Sequence, residues 1–109
     1  MKTGLKNKLL WLDDIRDPRD PKWAIPNADP VWVKSHFEFI TWIEENGLPD
    51  IISFDHDLGD GASGYDCAKD LVEYCFRFNK PLPEFRCHSA NPVGRENILG
   101  LLNNFKKHF

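Results

Sequence analysis

Three titratable side chains stand next to one another where the sequence reads SFDHDLGDG, from residue 53 to residue 61. Asp55, His56 and Asp57 directly follow the apolar stretch 51–54. Neighbouring charged groups are costly to remove from water unless a metal, a proton or a charged ligand compensates them. The alternative interpretation is an acidic surface loop, and the surrounding sequence has to decide between the two.

Two more polar groups end apolar segments in the same way: Asp13 and Asp14 after residues 8–12 (KLLWL), and His88 with Ser89 at the end of residues 85–88. In parallel sheets, ligands bind beyond the carboxyl ends of the strands. If these strands are neighbours, about 4.8 Å apart, all of the polar groups meet at one rim of the sheet. Three strands that each end in polar groups favour a functional site over a surface loop.

Carboxylate oxygens are the ligands that hard divalent cations prefer. The sequence therefore predicts a Mg²⁺ or Mn²⁺ site, with Ca²⁺ also compatible, at four carboxylates: Asp13, Asp14, Asp55 and Asp57. The alternative is a network of carboxylates satisfied by Arg16 and backbone amides.

The predicted catalytic groups are Asp55, His56, His88 and Ser89. Histidine titrates near neutral pH, so His56 and His88 are candidates for a base and an acid. Neighbouring residues of a strand point to opposite faces, so His88 points away from the site if Ser89 faces it. His88 would then be a core histidine, and the alternative for His56 is a solvated loop residue.

The segment after Ser89 begins a helix, whose free N–H groups attract anions. Asn91, Gly94 and Arg95 are the predicted phosphate-binding residues. Pro92 has no N–H, so Val93, Gly94 and Arg95 must supply the amides. Alternatively, Asn91 only caps the helix and Gly94 only relieves crowding.

Strand and helix patterns alternate along the chain, which predicts a parallel sheet with helices on both faces. The predicted strands are residues 8–12, 31–34, 51–54 and 85–88. The predicted helices begin near Ser35, Ser63 and Asn91, and their apolar positions include Phe39, Ile40, Ile43, Ala68, Leu71, Val72, Cys75, Phe76, Ile98, Leu101, Leu102 and Phe105. Residues 15–30 contain four prolines and predict a long loop, in which Trp23 either packs or stacks on a base.

The 109 residues are enough for one domain, residues 1–109. A net charge of −3 disfavours an extended nucleic-acid surface, and no apolar run is long enough to predict a membrane span. Cys67 and Cys75 lie on an apolar helical stripe and, with Cys87, lack metal-type spacing. Such core thiols predict a reducing, cytoplasmic location. The sequence predicts no oligomeric state.

The segments LWLDDIRDP, VWVKS, FDHDLG, SGYD and HSANPVGRENI are similar to those of the cyclic-phosphate-processing, receiver-like family, which is related to the receiver domains of response regulators. The resemblance covers residues 9–102. It implies a flavodoxin-like, three-layer sandwich with strand order 2-1-3-4. It also implies a divalent cation at Asp13 and Asp14, the receiver phosphorylation position at Asp55, and the hydroxyl position at Ser89. The receiver's fifth strand and its lysine have no counterpart here.

The family resemblance and the polar rim together predict a metal-assisted phosphoesterase. Its expected ligand is a small cyclic phosphate, either a nucleotide or an RNA end. One alternative is a degenerate receiver that signals or binds a partner. The other is a module that sequesters a cyclic nucleotide without cleaving it.

Overall fold

The computed structural model describes residues 7–59 and 61–108. In chain order the elements are β1 (Asn7–Leu12), β2 (Ala28–Val33), α1 (His36–Asn46), β3 (Ile51–Phe54), α2 (Gly64–Arg77), β4 (Glu84–Cys87) and α3 (Pro92–His108). The strands form one parallel sheet in the order β2-β1-β3-β4. The predicted flavodoxin-like fold class and strand order are confirmed.

Three of the four strands differ from the prediction in their bounds, and β1 begins one residue earlier, at Asn7. β3 has the predicted bounds, whereas β4 lies one residue earlier, at Glu84–Cys87. β2 begins three residues earlier than predicted and includes Pro30. Proline cannot donate to a strand ladder, so it is tolerated on an edge strand, and β2 is an edge strand of this sheet.

All three helices of the described chain pack on one face of the sheet. The buried cluster on that face joins strand residues Leu10, Leu12, Val33, Ile52 and Phe54 to helix residues Phe39, Ile43, Cys67, Ala68, Leu71, Cys75, Ile98 and Leu102. Each fully buried aliphatic or aromatic side chain contributes about 1.5–3 kcal/mol through loss of contact with water.

The other face of the sheet is covered by loop residues. Leu9, Trp11 and Ile51 form a second buried cluster, against which Trp23 and Ile25 of the loop pack. The prediction of helices on both faces is therefore wrong for the described residues, where the third layer is a loop. From β2 to β3 to β4 the chain crosses the sheet in one direction, and right-handed connections place their helices on the same face. Only the β1–β2 connection runs the other way, and it contains the prolines that prevent a helix.

The predicted helix starts near the site are present. Ser35 accepts a hydrogen bond from the Glu38 N–H at 3.1 Å, and Ser63 forms a reciprocal capping box with Asp66. Phe76 of α2 is 76% exposed, so the predicted apolar face was one residue too wide there. All three cysteines are free thiols, and Cys67 and Cys75 lie in the core as predicted.

The hydrogen bonds of the sheet continue past the strand ends and fix the first residues of the rim. The N–H of Asp13 donates to the Val33 carbonyl at 3.1 Å, and the N–H of Asp55 donates to the Leu12 carbonyl at 2.9 Å. β1 and β3 are adjacent, so Asp13 and Asp55 begin the rim side by side. Within the described part of the chain, every helix is too short or too polar to span a membrane.

Candidate functional site

Asp13 follows β1 directly, and its side chain is fully buried at the rim. Its Oδ1 atom accepts hydrogen bonds from the N–H groups of Ile15 at 2.8 Å and Arg16 at 2.9 Å. Its Oδ2 atom accepts from Arg16 Nη1 at 3.0 Å and lies 2.9 Å from His88 Nε2. Burial alone raises the pKa of Asp13, but these hydrogen bonds outweigh it and hold the pKa below its ordinary value. Asp13 is therefore an ionised anchor of the rim.

Asp55 follows β3 and has fewer partners. Its Oδ1 atom accepts a hydrogen bond from the His56 N–H at 2.9 Å, and its Oδ2 atom lies 3.8 Å from Arg16 Nη1. Burial and the negative charge of Asp13 raise the pKa of Asp55 above its ordinary value, and the hydrogen bond and Arg16 offset this only in part. Asp55 is thus a buried carboxylate whose charge is incompletely compensated.

Asp14 completes a cluster of three carboxylates with these two. One oxygen from each of Asp13, Asp14 and Asp55 lies within 4.8 Å of the others. The Oδ2 atom of Asp14 lies against Gly59, where an added Cβ would be 3.1 Å away. The cluster opens into a cleft of about 330 Å³, which we call the rim cleft and which is lined by Asp13, Asp14, Ile15, Arg16, Asp55, Asp57, Gly59, Ser89 and Ala90.

The donor chemistry of this cluster fits a hard divalent cation in part. Mg²⁺ and Mn²⁺ prefer carboxylate oxygens, and Asp14 and Asp55 present theirs to the rim cleft. The oxygens of Asp13 already accept hydrogen bonds from backbone N–H groups and from the Arg16 guanidinium. Binding through Asp13 therefore requires Arg16 to move.

Asp57 lies outside the three-carboxylate cluster, although the sequence predicts it as a metal ligand. Its side chain is 70% exposed at the mouth of the rim cleft. Its Oδ1 atom lies 3.0 Å from His56 Nδ1, and its Oδ2 atom accepts a hydrogen bond from Asn91 Nδ2 at 3.4 Å. The hydrogen bond with His56 lowers the pKa of Asp57. Asp57 is thus placed to orient His56.

His56 packs against the start of α3 and does not line the rim cleft. A Cβ added at Gly94 would lie 2.3 Å from His56 Cγ, closer than real Cβ contacts come. The imidazole therefore occupies the space that a side chain at residue 94 would fill. Gly94 is required here for its lack of a side chain.

This contact predicts a coupled pair of substitutions. Gly94→Ala should reduce the free energy of unfolding by roughly 1–2 kcal/mol, because the new methyl group displaces His56 from Asp57. In a His56→Ala background the same change should be neutral or stabilising, because alanine favours helix over glycine by about 1 kcal/mol. Urea denaturation of the four proteins in this double-mutant cycle measures the coupling. Equal effects of Gly94→Ala in both backgrounds would contradict the contact.

His88 points away from the rim cleft, as strand alternation predicts. Its ring stacks on Trp11 with centroids 3.8 Å apart and an interplanar angle of 6°. Its Nδ1 atom lies 2.7 Å from Ser53 Oγ and its Nε2 atom 2.9 Å from Asp13 Oδ2. Because the carboxylate only accepts, Nε2 carries the proton and Nδ1 accepts from the Ser53 hydroxyl. Burial is the main cause that lowers the pKa of His88, so it is a neutral support for Asp13.

None of the three residues predicted to bind phosphate lines the rim cleft. Ser89, a predicted catalytic group, does line it, and its hydroxyl accepts a hydrogen bond from the Asn91 N–H at 3.1 Å. Asn91 caps α3, since its Oδ1 atom accepts from the Gly94 N–H at 3.0 Å and its carbonyl from the Arg95 N–H at 2.9 Å. Two of the three amides proposed for an anion are thus already engaged. The Arg95 side chain is exposed and does not line the rim cleft.

Arg16 is the central residue of the rim, although the sequence pattern indicates it only within the alternative to a metal site. The available signal is the spacing Asp13-x-x-Arg16 immediately after a buried strand. Of the two roles considered for Trp23, the structure shows packing, on the second cluster. Its Nε1 donates to the Asp17 carbonyl, and its ring lies 5.8 Å from the Arg16 guanidinium carbon.

The fold is similar to those of three solved structures. The chain has a TM-score of 0.62 and 20% identity with a fusion of the yeast Spc42 trimeric coiled coil to another structure, over 89% of this chain and 65% of that one. With the response regulator domain of Thermotoga maritima CheB, the TM-score is 0.50 and the identity 14%, over 94% and 95% of the chains. The response regulator PhyR from Brucella abortus gives 0.49 and 16%, over 95% and 50%.

At 20% and 14% identity, the Spc42 fusion and the CheB domain show the fold alone. The chain spans 65% and 50% of the Spc42 fusion and of PhyR. No curated protein sequence matches it. A family match, in contrast, covers residues 8–104, and the family is described as "Cyclic-phosphate processing Receiver domain". This span includes both segments that supply the three-carboxylate cluster. The chain therefore belongs to the cyclic-phosphate processing receiver-domain family.

Proposed function

We propose that the rim cleft is the site of a metal-assisted phosphoesterase that processes the cyclic phosphate of a nucleotide or an RNA end. The observation that carries this proposal is the cluster of Asp13, Asp14 and Asp55 at the carboxyl ends of two central strands. The family to which the chain belongs supplies the class of substrate.

The negative charge of the rim cleft favours the binding of a divalent cation. Three carboxylates of the cluster face one guanidinium, that of Arg16, so ionised groups leave an excess of two negative charges. An anionic phosphate is repelled by such a site until a cation compensates it. Bound Mg²⁺ or Mn²⁺ supplies that charge and polarises the phosphate ester.

The remaining roles belong to the chain's own side chains. Asp13, Asp14 and Asp55 would hold the cation, while His88 keeps Asp13 ionised and in place through Nε2. Ser89 is positioned to donate its hydroxyl hydrogen to a phosphate oxygen in the rim cleft. His56 lies outside the rim cleft but contacts Asp57, at its mouth, through Nδ1, so Nε2 is the ring atom left to exchange a proton with a substrate that extends past Asp57. His88 acts as a positioning residue in this proposal, and His56 as the acid–base group.

Cation binding is expected to raise the melting temperature of the protein. A ligand that binds only the folded state adds about 1.4 kcal/mol of stability at ten times its dissociation constant. Differential scanning fluorimetry with Mg²⁺ or Mn²⁺ should show this shift in the wild type and lose it in Asp55→Asn. Glu45→Gln, the same charge change on the exposed surface of α1, should keep it. A shift that persists in Asp55→Asn would place the cation elsewhere.

Turnover is tested with 2′,3′-cyclic and 3′,5′-cyclic nucleotides and with a short RNA ending in a 2′,3′-cyclic phosphate, each with Mg²⁺ or Mn²⁺. Separation of the products should show ring opening by the wild type and none by Asp55→Asn. Tight binding without turnover would favour a sequestering module.

Receiver-type signalling is the second candidate function, because Asp55 lies at the end of β3, the position phosphorylated in receivers. A lasting acyl phosphate on Asp55 after treatment with acetyl phosphate, seen by intact mass, would favour this function.

A further inference from the structure

Arg16 lies between two buried carboxylates that belong to different strands. Its Nη1 atom is 3.0 Å from Asp13 Oδ2 and 3.8 Å from Asp55 Oδ2. A single nitrogen therefore faces one oxygen of each carboxylate. This is the place where a cation that bridges Asp13 and Asp55 would have to bind.

The backbone of Arg16 is fixed independently of its side chain. Its N–H donates to Asp13 Oδ1 at 2.9 Å, and its carbonyl accepts from Trp11 Nε1 at 2.9 Å. The side chain is 32% exposed and reaches into the rim cleft from this anchored position. Arg16 therefore differs from a surface arginine, because its anchored backbone holds the guanidinium in the rim cleft.

The guanidinium compensates charge that is otherwise buried and unpaired. Asp13 has an exposed fraction of 0% and Asp55 of 5%, and removing two like charges from water is unfavourable without a counter-charge. Arg16 supplies one positive charge, whereas a divalent cation supplies two at the same oxygens. Both cannot bind there together, because they repel each other and share the Oδ2 atoms.

We propose that Arg16 is a tethered counter-ion that competes with a divalent cation for Asp13 and Asp55. This inference rests on the proposed function only for the presence of a cation. When the cation binds, the guanidinium leaves the two carboxylates while its backbone stays anchored. The freed guanidinium remains in the wall of the rim cleft, where its N–H groups bind the phosphate of the substrate. The same arginine thus stabilises the metal-free protein and recognises the anion after the metal binds.

The experiment measures Mn²⁺ affinity by titration calorimetry in the wild type, Arg16→Gln and Arg95→Gln, with folding checked by circular dichroism. Arg16→Gln should bind Mn²⁺ about tenfold or more tightly than the wild type, because the competing charge is gone. Arg95→Gln makes the same charge change at an exposed position near the start of α3 and should change the affinity less than about threefold, because solvent and salt screen it.

Each outcome of the titration decides the proposal. Tighter Mn²⁺ binding by Arg16→Gln than by the wild type supports competition. Binding by Arg16→Gln alone also supports competition, but it would show that the wild-type protein does not use a metal. Equal or weaker binding by Arg16→Gln overturns competition and leaves the proposed phosphoesterase intact. Absence of binding in all three proteins at millimolar Mn²⁺ overturns both proposals.

Discussion

Gly64→Ala should lower the free energy of unfolding by roughly 3 kcal/mol or more, because the protein has no space for a methyl group at this position. An added Cβ would lie 1.8 Å from the carbonyl oxygen of Asp55 and 2.8 Å from its carbonyl carbon. Both atoms are backbone, so neither can rotate aside. The N–H of Gly64 also donates to the His56 carbonyl at 2.8 Å, which ties the start of α2 to the rim.

The matched control is Gly100→Ala, in the interior of α3. Beyond the adjacent residues and backbone of α3 itself, no atom lies within 4 Å of a Cβ added at Gly100, and the residue is exposed. Alanine there should raise the free energy of unfolding by about 0.5–1 kcal/mol through helix propensity alone. Urea denaturation followed by circular dichroism measures both changes. If Gly64→Ala unfolds at the wild-type urea midpoint, the close approach of α2 to the Asp55 carbonyl is wrong.

Buried strands and helix caps were the parts of the fold that the sequence predicted well. β3 has three apolar residues and Ser53 between two aspartates, and Ser35 and Ser63 are followed three residues later by Glu38 and Asp66, a spacing typical of helix starts. The start of β2 was missed because an edge strand that contains proline has no apolar alternation. Hydrogen bonds to β1 fix its register, and no local pattern reports them.

The single helical layer follows from chain topology rather than from residue patterns. Alternating strands and helices predict a parallel sheet but do not say which face each helix covers. Strand order and right-handed connections together decide that, and among residues 7–59 and 61–108 the β1–β2 loop is the segment that covers the second face. Trp23 and Ile25 of that loop shield Leu9 and Trp11, a role that four prolines in the sequence do not reveal.

The rim was predictable in position but not in detail. Parallel strands end at the same edge, which brings Asp13 and Asp55 together whatever their side chains do. The direction of His88 also followed from alternation, because Ser89 faces the cleft. The insertion of Arg16 and the packing of His56 on Gly94 depend on contacts between side chains, which spacing alone does not determine.

Asp13 and Asp55 are expected to affect stability in opposite directions when the metal-free protein is studied in EDTA. Asp55→Asn should stabilise the protein at neutral pH, because the raised pKa of Asp55 means that its charged form destabilises the folded state. A raised pKa means that the contribution of Asp55 to stability is present at low pH and is lost as pH rises through the folded-state pKa. The advantage of Asp55→Asn over the wild type should therefore disappear as pH falls below about 4.

Asp13→Ala, in contrast, should cost about 3–5 kcal/mol at neutral pH, because it leaves Arg16 without its buried partner. It also removes the acceptor of two backbone N–H groups and of His88 Nε2. The lowered pKa of Asp13 makes its contribution present above about pH 4 and lost as pH falls further, the reverse of Asp55. Asp14→Ala, which removes a half-buried carboxylate from the same cluster, should change stability by less than about 1 kcal/mol. Urea denaturation at several pH values separates the three, and equal losses for Asp13→Ala and Asp14→Ala would show that Asp13 is no anchor.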